Sequence, residues 1–459
     1  MKIAVLGAGP GGYEAAIYAA KKGAEVVLID KDSLGGTCLN RGCIPTKAFL
    51  ASADVLRDCQ DSRDFGIELT GDICIDYPAI LERKNKVVTS LVKGIQFLCD
   101  KAGVKVVKGF GSLTDSHTIS VAKDDGTTEE VTADYIILAT GSVPTTPGMF
   151  KYDKNHVITS DEVLDLPTPP KSLILMGGGV IGVEIGQFLA KMGTAVTVVE
   201  MLPQLLPTMD EDVAKQLARQ FKKDKIKVIV GDGIAQVDPQ EDSVKVTLQS
   251  GKELEAEYAL VAIGRRPYLD PRIGFDKAGV EITERGRVKV DEHLKTTCDN
   301  IYAIGDILDS AMLAHVASKE GLTAVDNIFG AQKVMSYKAV PGCVFTYPEI
   351  ATAGATEAEL KKAGREYKLG TFDLKGLGKA QASGHIAGFV KVIADENDVL
   401  IGAAIVGAHA ADMLQVLTTA IELGLTCEQV ADSIFPHPTM CEAIVEALHD
   451  VHGLSVHKI

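Results

Sequence analysis

The feature that most constrains this chain is a pattern that occurs twice. Residues 3–7, IAVLG, read as a short buried strand. GAGPGG follows, carrying Gly7, Gly9 and Gly12, then the helical run YEAAIYAAKKG, then a second strand, EVVLID, ending on Asp30. Strand, glycine turn, helix, strand and acid at this spacing specify a dinucleotide-binding unit. Gly7 makes the tight turn, Gly9 admits a pyrophosphate, Gly12 lets helix meet strand, and Asp30 is placed to accept from ribose hydroxyls. SLILMGGGVIGVEIGQFLAKMG followed by TAVTVVE repeats the pattern with Gly177, Gly179, Gly182 and Glu200. Gly7 to Asp30 is 23 positions, and so is Gly177 to Glu200. One chain therefore carries two such units.

The copies differ. Each closes on a strand ending in glycine, YIILATG at Gly141 and YALVAIG at Gly264. Asp30 to Gly141 is 111 positions and Glu200 to Gly264 is 64, so the first copy carries an extra 47 or so. That longer interval holds GGTCLNRGCIPTK, from Gly35 to Lys47. Gly36 and Gly42 let backbone come close to a ligand, and Pro45 fits the first turn of a helix. The stretch reads as a loop entering a helix, with Cys43 near the positive helix start, where a thiolate is favoured. Cys38 and Cys43 read as a redox-active disulfide beside a cofactor held by the first copy; two unrelated buried thiols are the alternative. The second copy then holds a cofactor that comes and goes. Glu200 bonds a free 2′-hydroxyl and repels a 2′-phosphate, and MLPQLLP after it offers no arginine, so NAD is favoured over NADP.

At 459 residues about three domains are expected. Hydrophobic content of 46% excludes a disordered chain, and a net charge of −15 excludes nucleic acid as a partner. Nine cysteines, an odd count and mostly scattered, point to a reducing cytosol, hence a cytoplasmic protein. The N-terminus lacks a basic n-region, its glycines belong to the first copy, and no lipoyl domain is expected before Met1. Leu400–Leu425 is interrupted by His409, Asp412, Gln415 and Glu422, so no membrane span is expected.

Thr145–Pro170, rich in proline and polar residues, reads as the connection between the two units. RRPYLD leaves the second unit. IYAIGD, 301–306, reads as a buried strand ending in Gly305 and Asp306, and MLAHVASKEG begins a helix at Met312. Such a carboxylate before a helix start suits the hydroxyls and phosphates of an extended cofactor, with an ordinary helix cap as the alternative. From about Tyr337 the character is α+β, with strands FVKVIA and LIGAAIVG and a helix from Ala411 to Gly424. In HPTMCEAIVEAL a helix is expected from about Thr439, letting Glu442 reach back to His437 as an oriented general base; a capping or surface histidine is the alternative.

Together these residues resemble the flavin-dependent pyridine nucleotide-disulfide oxidoreductases, from Met1 to about Gly453, and most closely the branch that oxidises dihydrolipoamide. GGTCLNRGCIPTK is similar to the redox-site motif and HPTMCE to the catalytic His-Glu motif. YAIGD with MLAH is similar to the second flavin-binding stretch, and FTYPEIATAG to the opening of the dimerisation domain. Asp30 stands where glutamate is more usual, Thr46 where serine is, and Met440–Cys441 where Leu-Ser is. None removes a reacting group, though Cys441 beside the base would make the site oxidation-sensitive.

The resemblance implies an α/β fold of two Rossmann-like domains with a C-terminal α+β dimerisation domain. The expected bounds are 1–145 for FAD with the disulfide, 146–266 for NAD, 267–337 completing the FAD site, and 338–459 at the subunit interface. It implies a homodimer in which His437 serves the other subunit's disulfide. Cys38 becomes the interchange sulfur, Cys43 lies against the flavin, and Lys47 pairs with Glu184 near the flavin ring. Further FAD contacts implied are Lys31, Gly36, Thr37, Cys38, Gly111 at the adenine, Thr140, Gly141 and Ser142, with Asp306, Met312, Leu313, Ala314 and His315. Implied NAD contacts beyond the glycines and Glu200 are Val180, Ile181, Glu184, Ile234 and Gly264. The implied activity oxidises dihydrolipoamide, carried on lipoyl domains or an H-protein of a 2-oxo acid dehydrogenase or glycine cleavage complex, and reduces NAD. The acidic surface suits docking to a basic binding domain. Glutathione and trypanothione reductases would want basic residues after Glu200. Mercuric reductase would end in a cysteine pair, where this chain ends GLSVHKI. A soluble transhydrogenase or NADH oxidase would lack the Cys38–Cys43 spacing, and a non-enzymatic scaffold would have no use for both sulfurs and the base.

Overall fold

The structure is a computed structural model and describes residues 1–458. Strands β1 (Lys2–Leu6) and β2 (Glu25–Asp30) flank helix α1 (Pro10–Lys21). Then come α2 (Gly36–Arg41), α3 (Cys43–Asp61) and the long α4 (Tyr77–Ala102), followed by β3 (Lys105–Lys108). A meander of β4 (Phe110–Leu113), β5 (Thr118–Ala122) and β6 (Thr128–Thr132) leads to β7 (Tyr135–Leu138). After β8 (Ser142–Pro144), β9 (Val157–Ile158) and α5 (Ser160–Val163), the order recurs. It runs β10 (Ser172–Met176), α6 (Val180–Lys191), β11 (Ala195–Glu200), α7 (Glu211–Lys223) and β12 (Lys227–Val230). The second meander is β13 (Ile234–Pro239), β14 (Val244–Leu248) and β15 (Glu253–Ala256), and β16 (Tyr258–Val261) closes it.

The two parallel sheets have matching strand orders. The first runs β3-β2-β1-β7 and adds β18 (Ile301–Ala303), which lies beyond β17 (Arg265–Pro267); the second runs β12-β11-β10-β16 and adds β9. Nearly every residue of β1, β2, β10 and β16 is buried, as apolar strands covered on both faces must be. The duplication thus extends past the glycine turns through both meanders. The extra residues of the first copy are α2, α3 and α4, which stand where the second copy has only α7. Helix α8 (Ala314–Ile328) packs on α1 at a glycine pair: a Cβ on Gly321 would meet Gly11 O at 2.6 Å. The remainder forms an antiparallel sheet of β19 (Gly342–Val344), β20 (Ile350–Gly354), β21 (Lys368–Asp373), β22 (Phe389–Ala394) and β23 (Leu400–Val406). Around it lie α9 (Glu357–Ala363), α10 (Gly378–Ser383), α11 (Ala410–Leu423), α12 (Cys427–Ala431) and α13 (Glu442–Asp450).

Several sequence expectations shift. The stretch 145–170 is more than a connector, because β9 joins the second sheet and Thr159 caps α5 with a capping box to Glu162. IYAIGD leaves the sheet at Ala303 and turns through Gly305–Ile307. Helix α8 starts at Ala314, not Met312, since Leu313 is extended and forms its N-cap. Helix α13 starts at Glu442 rather than Thr439. A cis peptide joins His437 to Pro438, Thr439 Oγ1 donates to Pro436 O, and Thr439 N donates to Glu442 Oε2, which closes a turn ahead of the helix. Among the described residues no helix is long and apolar enough to cross a membrane.

Candidate functional site

The two glycine turns are built alike. A Cβ on Gly7 would sit 2.1 Å from Ala139 O, and one on Gly12 would sit 1.9 Å from Gly7 O. The equivalents, Gly177 on Ala262 O and Gly182 on Gly177 O, would both be at 2.6 Å. These four glycines are therefore required by protein packing against the end of the neighbouring strand. The middle glycine differs: a Cβ on Gly9 would meet nothing within 4 Å, and one on Gly179 only Ala262 O, at 4.0 Å. The open face sits at the N-termini of α1 and α6, where unpaired N–H groups favour an anion. Val180 and Ile181 form the first turn of α6. A dinucleotide pyrophosphate fits both places.

The acids that end the second strands turn inward. Asp30 accepts Ala8 N at 2.6 Å and Asp32 N at 2.8 Å; Glu200 accepts Gly178 N at 2.7 Å and Leu202 N at 2.8 Å. Each carboxylate thus braces its own glycine turn and keeps spare lone pairs for a ribose. Burial pushes the Asp30 carboxyl up.

Cys38 lies in α2, and Cys43 is the first residue of α3, after a break at Gly42. The two thiols are near enough to act on each other. The interaction with Cys38 draws the Cys43 thiol down to about 7 against the opposing effect of burial, and the Lys47 ammonium helps. The Cys38 thiol is pushed up. The arrangement favours the thiolate at Cys43 over Cys38. Gly36 is explained differently from the sequence reading. A Cβ there would be 2.6 Å from Gly9 Cα, so it is the close approach of the redox loop to the first glycine turn that demands glycine.

Lys47 Nζ lies 2.8 Å from Glu184 Oε2, and Glu184 Oε1 accepts Phe345 N at 2.8 Å. Lys47 also stands 4.4 Å above the Phe345 ring. One buried carboxylate on α6 therefore gathers the redox helix and the segment after β19. Sequence reasoning carried Lys47 and Glu184 but missed Phe345, which has no motif of its own.

Past the ends of β2 and β7, Lys31 Nζ sits 4.0 Å over the Tyr268 ring and Thr140 Oγ1 donates to Tyr268 O at 3.0 Å. Gly141 O accepts from Tyr268 N, and Gly264 O from Thr145 N. Ser142 Oγ donates to Asp306 Oδ2 at 2.5 Å. Thr37 is in the first turn of α2, and Met312 and Leu313 precede α8, whose first residues are Ala314 and His315. His315 Nε2 bonds Pro341 O at 2.9 Å. Gly111 has a packing reason: a Cβ would strike Leu6 Cδ1 at 2.4 Å. Ile234 opens β13, opposite Leu248. Arg265, which sequence reasoning treated only as the exit from the second unit, reaches Ser142 with Nε and Nη2, both at 2.8 Å.

His437 Nδ1 lies 2.7 Å from Glu442 Oε1, with the imidazole 78% exposed and open to whatever docks on that face. Burial raises the Glu442 carboxyl, but His437 and Thr439 N outweigh it and hold it below the usual range. Half-buried Cys441 has its thiol pushed up by burial, which works against the oxidation sensitivity expected of it.

Comparison with known proteins agrees with this geometry. Residues 1–321 match the family model described as pyridine nucleotide-disulphide oxidoreductase, and residues 340–448 match the dimerisation domain of that name. A dihydrolipoyl dehydrogenase of Haloferax volcanii is 38% identical, over 100% of this chain and 98% of the relative. One of Chlamydia pneumoniae is 39% identical, over 98% and 97%. The crystal structure of LpdA from Mycobacterium tuberculosis superposes with a TM-score of 0.92 at 28% identity, covering 98% of this chain and 99% of that one. Two glycine cradles, a paired-thiol helix start and a dimerisation domain with its His–Glu pair are thus found together across the chain's length, and the chain belongs to the pyridine nucleotide-disulphide oxidoreductase family.

Proposed function

We propose that the protein oxidises dihydrolipoamide to lipoamide and reduces NAD, as a dihydrolipoyl dehydrogenase. The observation that carries the reading is the thiol pair at the start of α3, with Cys43 favoured as thiolate and Lys47 one turn behind it. The full-length relatives of that name support the substrate.

Flavin in the first cradle would accept the electron pair from the dithiol, and NAD in the second would leave with a hydride. The chain's residues do the rest. Glu442 holds the His437 ring by Nδ1, which leaves Nε2 to take the proton of a substrate thiol. In a homodimer, His437 serves the disulfide of the other subunit. The substrate thiolate attacks Cys38, the S–S bond breaks, and Cys43 leaves as thiolate; the second substrate thiol then displaces Cys38, releasing oxidised lipoamide. Two electrons have passed from substrate to the Cys38–Cys43 pair. The low-lying thiol of Cys43 makes it the better leaving group. Glu200, with no basic residue immediately after it, favours NAD. Lipoyl domains or an H-protein would bring the substrate, and a basic binding domain would suit the −15 charge.

The test is a panel of dihydrolipoamide, glutathione and Hg(II) with the matching nicotinamide redox form, run on native protein and on His437→Gln. Turnover confined to the lipoamide couple, lost about 10²–10⁴-fold in His437→Gln while flavin stays bound, is the expected result. Preference for glutathione or Hg(II) would sink the assignment.

A further inference from the structure

The chain that leads to Asp306 runs out of strand partners just before it. Strand β18 is the edge of the first sheet, with β7 on one side only, and amides along a strand alternate in direction. Ile304 N reaches β7, donating to Leu138 O at 2.9 Å. Ile301 N and Ala303 N turn outward, to Cys298 O and Leu294 O, both at 3.1 Å. Gly305 N is the next outward donor and it is buried, so it needs an acceptor that no strand provides. Glu320, in the second turn of α8, supplies one: its Oε2 accepts Gly305 N at 2.6 Å.

Glu320 is 0% exposed, and its other oxygen, Oε1, accepts from Tyr337 Oη at 2.8 Å. Burial pushes its carboxyl up, and the two bonds pull the other way. Tyr337 belongs to the segment between α8 and β19, where the neighbouring Ser336 Oγ donates to Glu422 Oε2 of α11 at 3.0 Å. The glutamate is thus fixed from the side of the antiparallel sheet, and it fixes the turn at Gly305 in its own right. That turn needs a holder, because Gly305 sits at φ +73°. Within Gly305–Ile307 only Asp306 leaves the core: it is half-buried, and its Oδ2 accepts Ser142 Oγ at 2.5 Å.

We propose that Glu320 is a positioning residue of the flavin site, which by holding Gly305 N sets the direction in which the next residue, Asp306, presents its carboxylate. Fully buried, it acts through the backbone and not by contact. It rests on the reading that the first cradle holds flavin with Asp306 among its contacts. The brace Tyr337–Glu320–Gly305 then ties the segment entering the antiparallel sheet to the flavin turn through a single carboxylate.

The experiment titrates flavin-free protein and its variants with FAD, reading Kd from flavin fluorescence beside the Tm of each flavin-free chain. Glu320→Leu is expected to raise Kd about tenfold, the fold-change of one net hydrogen bond. Glu320→Gln keeps an oxygen for Gly305 N and offers Tyr337 Oη a donor, so its Kd is expected within about twofold of native. In an Asp306→Ala background Glu320→Leu should add nothing, because its effect passes through that carboxylate. Tyr337→Phe, at a residue 44% exposed, carries the test where Glu320→Leu does not fold: about threefold weaker binding, again absent in the Asp306→Ala background. An unchanged Kd in the folded variant would overturn the proposal. So would an equal rise in Glu320→Gln, or effects that simply add to those of Asp306→Ala, the mark of a general loss of stability. Native protein that binds no FAD would overturn the flavin reading itself, a result distinct from all of these, and substrate turnover is not read.

Discussion

Lys47 and Glu184 face each other at 2.8 Å across the boundary between the two nucleotide units, and Glu184 is only 4% exposed. Its second oxygen is taken by Phe345 N. Removing the ammonium leaves a buried carboxylate with one backbone donor. Lys47→Met is expected to destabilise the protein by about 2–3 kcal/mol, measured by urea unfolding, and Glu184→Gln with Lys47→Met together should recover part of it.

The Cys43 thiol is drawn down to about 7 by Cys38 and Lys47. In the reduced protein its iodoacetamide reactivity should rise with pH around a midpoint near 7. The ordinary cysteine value lies near 8.5. Lys47→Met should move the midpoint upward, because a cation that favours the thiolate is gone.

The glycines separate fold from binding. Gly12→Ala forces a Cβ to within 1.9 Å of Gly7 O, so it should lower the Tm of the flavin-free chain. Gly9→Ala meets no protein atom within 4 Å and should leave that Tm alone while flavin is lost. Gly179→Ala should keep flavin but raise the KM for NAD.

Asp326 tests pH dependence with a defined sign. It bonds Lys22, Lys333 and Tyr18, which outweigh burial and hold its carboxyl near 2, below the ordinary value of 3.8. A depressed carboxyl contributes stability above its unfolded pKa and loses it as pH falls through the folded one. Asp326→Asn should therefore cost on the order of 1 kcal/mol at neutral pH, discounted for the exposed lysine ends, and the gap to native should close between about pH 4 and 2.

Lys391, 1% exposed, places its ammonium among Asp210, Asp212 and Glu357 at 2.8–3.0 Å. Those three acids offer oxygens within 4.8 Å of one another, a cation-sized nest already filled by lysine. Lys391→Ala should cost about 3–5 kcal/mol, and calcium should then raise its Tm, while native protein is indifferent to calcium.

What could be read from sequence was what sits within one local pattern. Gly12 and Asp30 owe their roles to neighbours in the same βαβ unit, and Cys43 to the helix it begins. Even there the inward turn of Asp30 and Glu200 was hidden, because their backbone donors carry no signature. Arg265 and Ser142 are 123 residues apart, and Glu184 and Phe345 are 161 apart. Such contacts exist only once separately folded units dock, so no spacing announces them. The late start of α13 had a local cause, the turn in which Thr439 bonds Pro436 O and Glu442 Oε2, that the letters HPT do not reveal.

Helix α3 begins on the sulfur of residue 43, and no side chain caps it. A neutral disulfide leaves those first N–H groups without an anion, whereas the thiolate puts one at their mouth. Gaining electrons thus finishes the helix that receives them, so the reduced enzyme should be the stiffer of its two forms around this segment, and amide exchange at Ile44 to Lys47 should slow on reduction.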